Sequence, residues 1–110
     1  MAYTTKIAWE TLRSVDSATF GASYVKVGGP LLHPAYKIKL VNNSTVLVTV
    51  SIDGTTDIDV APANSFWLYD EDVTVNHESL PQGTQIFVKS GTGGAGVGLV
   101  YLVVQILIVN

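Results

Sequence analysis

The sequence predicts an all-β protein, an antiparallel β-sandwich with jelly-roll-like connectivity and about eight strands. Two observations lead to this prediction. Val, Ile and Thr, whose branched side chains favour extended strands, make up 34 of the 110 residues. Gly, Pro, Asn and Asp interrupt the chain at short intervals, as in proteins built from many short strands. A chain of this length is typical of one domain with its own core.

The turn signals divide the chain into predicted strands, which span residues 17–20, 23–27, 36–41, 45–52, 56–60, 65–69, 84–89 and 98–109. Asn42-Asn43-Ser44 is interpreted as a turn between two of them. Asp53-Gly54 predicts a two-residue hairpin, because these residue types accept the positive φ of such turns. After it, Ile58 and Val60 alternate with Asp57 and Asp59, which predicts an edge strand with one wet face.

Two of these strands, 45–52 and 98–109, are apolar on both alternating faces. Each must therefore be covered on both sides. They are either central strands of a two-layer sandwich or strands with one face against a second protein, and the pattern alone leaves both interpretations open.

Residues 1–17 are predicted to form an N-terminal arm that precedes a sandwich domain of residues 18–110. The arm carries Ile7, Trp9 and Leu12 among charged residues. This spacing is compatible with a short amphipathic helix, with an arm laid on a neighbour, or with an N-terminal strand or loosely held tail packed by Trp9.

Composition excludes several classes of function. The chain has no cysteine, which rules out disulfides and thiolate metal sites. Its net charge is -3 and no basic residues cluster, so we expect no nucleic-acid partner. The longest apolar run, 99–109, is far shorter than the roughly 20 residues of a membrane-spanning helix, so we expect no membrane partner.

No candidate catalytic or cofactor motif is complete. The glycines of 91–96 match a dinucleotide-binding pattern, but neither the helix nor the acidic residue that such a site needs follows them. Asp53, Asp57, Asp59 and the run 70–72 do not have the spacing of a calcium loop. His33 and His77 lack an adjacent nucleophile or metal partner. We therefore predict no enzymatic activity, no metal and no cofactor.

The segment 66–69 places Trp67 and Tyr69 on one face of a strand and Phe66 and Leu68 on the other. Two-layer packing explains this alternation, and an aromatic face beside Asn64 and Asp70 is also typical of sugar-binding surfaces. The candidate interface residues are Ile7, Trp9, Leu12, Trp67 and Tyr69.

The order of several short motifs resembles that of small virion structural proteins of tailed bacteriophages. The motifs are Val41-Asn42-Asn43-Ser44, then Asp53-Gly54-Thr55-Thr56-Asp57, then Pro62-Ala63-Asn64-Ser65-Phe66 with Leu68-Tyr69-Asp70, then Gly83-Thr84-Gln85 with Phe87-Val88-Lys89, and finally Gly98 with Val100-Tyr101. The likeness extends from about residue 20 to the end of the chain. It implies a non-enzymatic protein of the virion, present in many copies as a capsid decoration or as part of the neck, tail or fibre attachment.

Two hypotheses follow for the function. The first is a virion assembly unit that self-associates into a homo-oligomer and docks on other virion structural proteins. The alternative is a carbohydrate-binding, lectin-like module.

Overall fold

The computed structural model describes residues 5–35, 37–70 and 80–109. In chain order its strands are β1 (Thr5–Trp9), β2 (Arg13–Asp16), β3 (Val25–Lys26), β4 (Lys37–Ser44), β5 (Val48–Ser51), β6 (Asp59–Ala61), β7 (Ser65–Asp70), β8 (Phe87–Ser90) and β9 (Gly98–Val109). A single 3₁₀ turn, Ser17–Thr19, follows β2, and the described residues contain no α-helix. The prediction of an all-β protein is confirmed.

The strands form two antiparallel sheets. In the five-stranded sheet, β9 pairs with β1 and β2 on one side and with β4 on the other, and β7 lies at the far edge beside β4. The four-stranded sheet has the order β3-β8-β5-β6. The first half of the chain therefore pairs with the second half in reverse order: β1 and β2 with β9, β3 with β8, β4 with β7, and β5 with β6. Folded into two packed sheets, this arrangement is a jelly roll, as predicted.

The core lies between the two sheets and follows from the period-two alternation of the strands. Every second residue is buried in β4, and in β9 from Val100 to Ile106, and these side chains meet Val48, Val50 and Val88 of the other sheet. Residues of the connecting segments, Phe20, Val27, Leu31, Ala35 and Ile86, complete the core. The alternate residues of these two stretches consequently face outward.

Several predicted elements differ from the structure. Segment 17–20 is not a strand: Ser17–Thr19 form a 3₁₀ turn, because the Asp16 side chain accepts a hydrogen bond from the Ala18 N–H at 2.9 Å and starts a helical turn. Only Val25–Lys26 of segment 23–27, and only Val48–Ser51 of segment 45–52, form strands. Only Asp59–Ala61, which overlaps the end of segment 56–60, forms β6.

The predicted turn at Asn42-Asn43-Ser44 is wrong, because these residues continue β4. The Asn42 side chain is fully buried, and its Nδ2 donates to the carbonyls of Val46, Ala61 and Pro62 at 2.8, 2.9 and 3.1 Å. These carbonyls satisfy the amide inside the sandwich, so a residue typical of turns is accommodated in a central strand.

The predicted two-residue hairpin at Asp53-Gly54 is also wrong. β5 and β6 pair as expected, but the longer segment 52–58 connects them. Within it Gly54 has a φ of 82°, and Asp53 accepts the N–H groups of Thr55 and Thr56 at 2.8 and 2.7 Å. The edge position of β6 is confirmed, but Ile58 and Val60 are both about half exposed, so the alternation buries neither.

The described part of the N-terminal segment is a strand of the sandwich. β1 and β2 run along β9, with the register shifting by one residue between Trp9↔Gln105 and Arg13↔Leu102. Such a shift is a β-bulge, and it lies at residues 10–12. The structure therefore has an N-terminal strand here, but Trp9 does not pack it against the core, because its side chain is 59% exposed.

Candidate docking surface

The outer face of the five-stranded sheet, here called the docking face, is built from outward-facing residues of β1, β9, β4 and β7. The register aligns them in rows across the strands: Trp9 with Gln105 and Lys37, Val103 with Lys39 and Leu68, and Tyr101 with Val41 and Phe66. Apolar side chains thus occur on all four strands, with Gln105, Lys37 and Lys39 among them.

Five large apolar side chains of this face are 37–59% exposed: Ile7, Trp9, Phe66, Leu68 and Leu99. Leu12, on the bulge at the edge of the same sheet, is 57% exposed. Side chains of this size at about half exposure present on the order of 500 Å² of apolar surface. An interface of standard size buries about 800 Å² on each partner, of which somewhat more than half is non-polar. The docking face therefore has the apolar area that one such interface requires.

Two concavities indent the docking face. One, of about 320 Å³, is lined by Trp9, Lys37, Lys39, Leu68, Val103 and Gln105. The other, of about 420 Å³, is lined by Lys39, Val41, Asn43, Asn64, Phe66 and Tyr101, together with Asn42 and Ser65. Lys39 lies between them and lines both.

The chain itself covers the outer face of β5 in the four-stranded sheet. Thr49 and Ser51 point away from the core, yet both are buried. The segment 52–58 folds back here, so that Ser51 Oγ contacts Asp53 at 2.8 Å and Gly54 lies against the Phe87 ring. The part of segment 45–52 that forms a strand, Val48–Ser51, is therefore a central strand with both faces buried by its own chain.

Charged and aromatic groups hold the covering segment in place. Asp57 accepts a hydrogen bond from the Tyr24 hydroxyl and pairs with Lys89 Nζ at 3.3 Å, and the same ammonium lies 4.6 Å from the centre of the Tyr24 ring. The Tyr24 hydrogen bond and the Lys89 charge lower the pKa of Asp57. Burial and the adjacent Asp57 carboxylate raise the pKa of Tyr24. Hydrogen bonds from the backbone N–H groups of Thr56 and Thr55, and from the hydroxyls of Ser51 and Thr56, lower the pKa of Asp53.

The structure separates the five candidate interface residues into two groups. Ile7 and Trp9 lie on the docking face, and Leu12 lies at its edge. Trp67 and Tyr69 turn toward the core, where Trp67 Nε1 donates to Asp59 at 2.6 Å. The predicted alternation of β7 is confirmed, but its outward pair is Phe66 and Leu68. Sequence patterning could not assign the faces, because both pairs combine an aromatic with a second large side chain.

A buried carboxylate that the sequence analysis did not single out anchors the bulge. The Glu10 side chain is 1% exposed and accepts hydrogen bonds from Arg13 Nη2 at 2.8 Å, His33 Nδ1 at 2.9 Å, and the backbone N–H groups of Leu32 and His33. Burial alone would raise the pKa of Glu10, but these donors outweigh it and lower the pKa. Arg13 also donates to the carbonyls of Gly29 and Pro30, so the cluster ties the edge strand to the segment that follows β3.

The carboxylates considered as calcium ligands do not converge. Asp53 caps its own turn, Asp57 contacts Tyr24 and Lys89, and Asp59 contacts Trp67. Within residues 5–35, 37–70 and 80–109 there is no group of three His, Cys, Asp or Glu side chains that could hold a metal. Glu71, Asp72 and His77 lie outside the described residues.

The glycine-rich segment 91–97 connects β8 in one sheet to β9 in the other. The N–H groups of Gly91 and Gly96 donate to the carbonyls of Leu47 and Ser17 at 2.8 and 3.0 Å, and a strand, not a helix, follows. In the part of the chain that the structure describes, no helix is long and apolar enough to cross a membrane.

Comparisons with protein-family models, with curated proteins and with solved structures found no match to this chain.

Proposed function

We propose that this protein is a non-enzymatic structural protein of a tailed-bacteriophage virion. It acts as a repeated assembly unit, which self-associates and docks on other virion proteins through the docking face. The sequence order described above supports the virion context. The contrast between the two outer faces of the sandwich supports the docking role.

That contrast is the observation on which the proposal depends. The segment 52–58 covers the central strand β5 of one outer face, with Ile52, Ile58 and Val60 about half exposed around it. The strands of the other outer face have no such cover in the described chain, and Trp9, Phe66 and Leu68 expose about half of their surface there. Monomeric soluble proteins rarely expose an apolar patch of more than a few hundred Å², and patches above about that size mark sites of interaction. With 14% charged residues, the chain also has few charges to solubilise this face.

A charged residue at the centre of the docking face tests the assembly role. We expect Leu68→Lys to abolish self-association, because burying an unpaired ammonium in an apolar interface is strongly unfavourable. Ile58→Lys is the matched control: Ile58 is 44% exposed and Leu68 46%, but Ile58 lies beside the edge of the other sheet. Sedimentation velocity over a wide concentration range measures the effect. A wild-type protein that stays monomeric throughout, or equal effects of the two variants, would contradict the proposal.

The virion role is tested on purified particles. Mass spectrometry of particles from the phage that encodes this chain should detect it in a fixed copy number, and labelled antibodies should place it at one structural position. Its absence from particles that are complete and infectious would refute the virion role while leaving the docking face to other partners.

A further inference from the structure

The larger concavity of the docking face, here called the slot, is open to solvent and is lined by the aromatic side chains Phe66 and Tyr101. Val41 lies in one cross-strand row with Phe66 on the neighbouring strand β7 and Tyr101 on the other neighbour, β9. Adjacent strands are about 4.8 Å apart, so the two aromatic residues are separated by roughly 10 Å at the backbone. The slot volume of about 420 Å³ is sufficient for one six-membered ring with its substituents.

The two ends of the slot are polar and differ in character. At one end stands Lys39, which is exposed and has no carboxylate partner among the described residues. At the other end are the side-chain amides of Asn43 and Asn64, which supply both donors and acceptors. A ligand that fits would have an apolar ring face, hydroxyl groups on one side and a negative charge on the other.

The amide end of the slot is rigidly built. Asn64 adopts a left-handed backbone conformation with a φ of 57°, in a turn closed by the Ser65 N–H and the Pro62 carbonyl at 3.1 Å. The buried Asn42 amide binds the Ala61 and Pro62 carbonyls and so ties this turn to β4. A site whose walls are fixed before binding loses less entropy when a ligand enters.

We propose that this slot binds a sugar ring that carries a carboxylate, as a unit of an acidic polysaccharide. The C–H faces of the ring contact Phe66 and Tyr101, the hydroxyls exchange hydrogen bonds with Asn43 and Asn64, and the carboxylate pairs with Lys39. A nucleotide would also stack between aromatic rings. A nucleic-acid strand, however, requires a basic track for its backbone, and this chain has a net charge of -3.

The slot lies within the docking face, so a bound sugar and a docked copy would compete for the same surface. The two proposals are tested separately, because the sugar is titrated at a protein concentration at which the chain is monomeric. Self-association is tested at Leu68, in the neighbouring row of the sheet, and the slot at Phe66 and Asn64. Either proposal can fail without the other.

Titration of the wild-type protein with methyl glucuronide and methyl glucoside, followed by amide chemical shifts, tests the slot. We expect the glucuronide to bind about ten-fold more tightly, with the largest shifts at Asn43 and Asn64, since a charge-assisted contact to Lys39 contributes on the order of one decade in Kd. Lys39→Gln should make the two affinities equal.

Variants of the slot complete the experiment. Phe66→Ala and Asn64→Gly should each weaken glucuronide binding by about ten-fold, and glycine at position 64 retains the left-handed conformation, so that the fold is preserved. Ile58→Ala, at an exposed position beside the other sheet, should bind as the wild type does. The proposal is overturned by the absence of saturable binding, by equal binding of the neutral sugar, by full affinity in Asn64→Gly, or by tighter binding of thymidine monophosphate.

Discussion

At the scale of single residues, Glu10 connects elements that lie far apart in the sequence. Its carboxylate accepts hydrogen bonds from Arg13, on the following strand, and from the backbone of Leu32 and His33. Glu10→Gln replaces one carboxylate oxygen by an NH2 group, which would face the Arg13 and backbone donors without being able to accept a hydrogen bond from them. We expect it to lower the free energy of unfolding by about 3 kcal/mol, as when one partner of a buried ion pair is removed. Urea denaturation at pH 7 measures this, and Thr11→Ala, at the exposed neighbouring position, is the control.

The same residue makes stability depend on pH. Folding lowers the pKa of Glu10, and also those of Asp53 and Asp57, so the unfolded chain binds more protons than the folded one in acid. The stabilisation from these carboxylates is fully present above about pH 5, where they are ionised even in the unfolded chain. It is lost as the pH falls through their lower pKa values in the folded protein. The melting temperature should therefore decrease below about pH 5, less steeply in Glu10→Gln. An increase on acidification would contradict this assignment.

Asn42 and Asn43 show what residue type alone cannot reveal. Both are turn formers in sequence, yet Asn42 is buried among three carbonyls and Asn43 is exposed one position further along β4. Two of the carbonyls belong to Ala61 and Pro62, nearly twenty residues away, so local pattern contains no signal for this burial. The same reason hid Glu10, whose partners Leu32 and His33 lie beyond the reach of any local motif.

This pair provides a controlled test. Asn42→Ala removes a buried amide that donates to the Ala61 carbonyl and accepts from the Ser44 N–H, and we expect it to lower the free energy of unfolding by about 2–4 kcal/mol. Asn43→Ala should change it by less than about 0.5 kcal/mol, as is usual at exposed positions. Chemical denaturation of both variants measures the difference. Equal effects of the two substitutions would show that the amide network does not stabilise the sandwich.

At the scale of elements, β9 organises the five-stranded sheet, and its first residue sets the register. Gly98 has a φ of 109°, and a Cβ there would lie 2.2 Å from the Asn43 carbonyl oxygen. Gly98→Ala therefore requires both a strained backbone and a shift of β4, and we expect a loss of at least about 2 kcal/mol in unfolding free energy. Gly94→Ala is the control, because a Cβ at Gly94 has no heavy atom within 4 Å. Comparable destabilisation by both would contradict this explanation.

The longest predicted strand agreed with the structure better than the shortest ones did. The long apolar segment 98–109 was placed correctly as β9, because twelve residues of strand pattern leave little room for another structure. Short elements such as β3 and the 3₁₀ turn depend on single hydrogen bonds, including that from Ala18 to Asp16, which composition does not encode. The bulge between β1 and β2 is likewise fixed by the tertiary contacts of Glu10 rather than by a local signal.

At the scale of the whole molecule, the fold class was predictable and the exposed face was not. The share of β-branched residues and the turn spacing are properties of the entire chain, and they were sufficient for a sandwich. The docking face depends on which outer surface the segment 52–58 covers, and therefore on contacts such as those of Asp57 with Tyr24 and Lys89. Because of these contacts, β5 is buried within its own chain, whereas the outer face of the five-stranded sheet is available to a partner.

The chemistry of the docking face also determines how assembly should respond to salt. Each copy carries a net charge of -3, so two copies repel each other at low ionic strength, whereas the contact itself is mostly apolar. Raising sodium chloride from about 0.05 M to about 0.5 M shortens the screening length severalfold and leaves apolar burial intact. We expect self-association to remain or to tighten over this range, as measured by sedimentation equilibrium. Dissociation at the higher salt would instead indicate an interface held by ion pairs, with Lys37 and Lys39 as its cations. Burial of apolar surface would then not explain assembly.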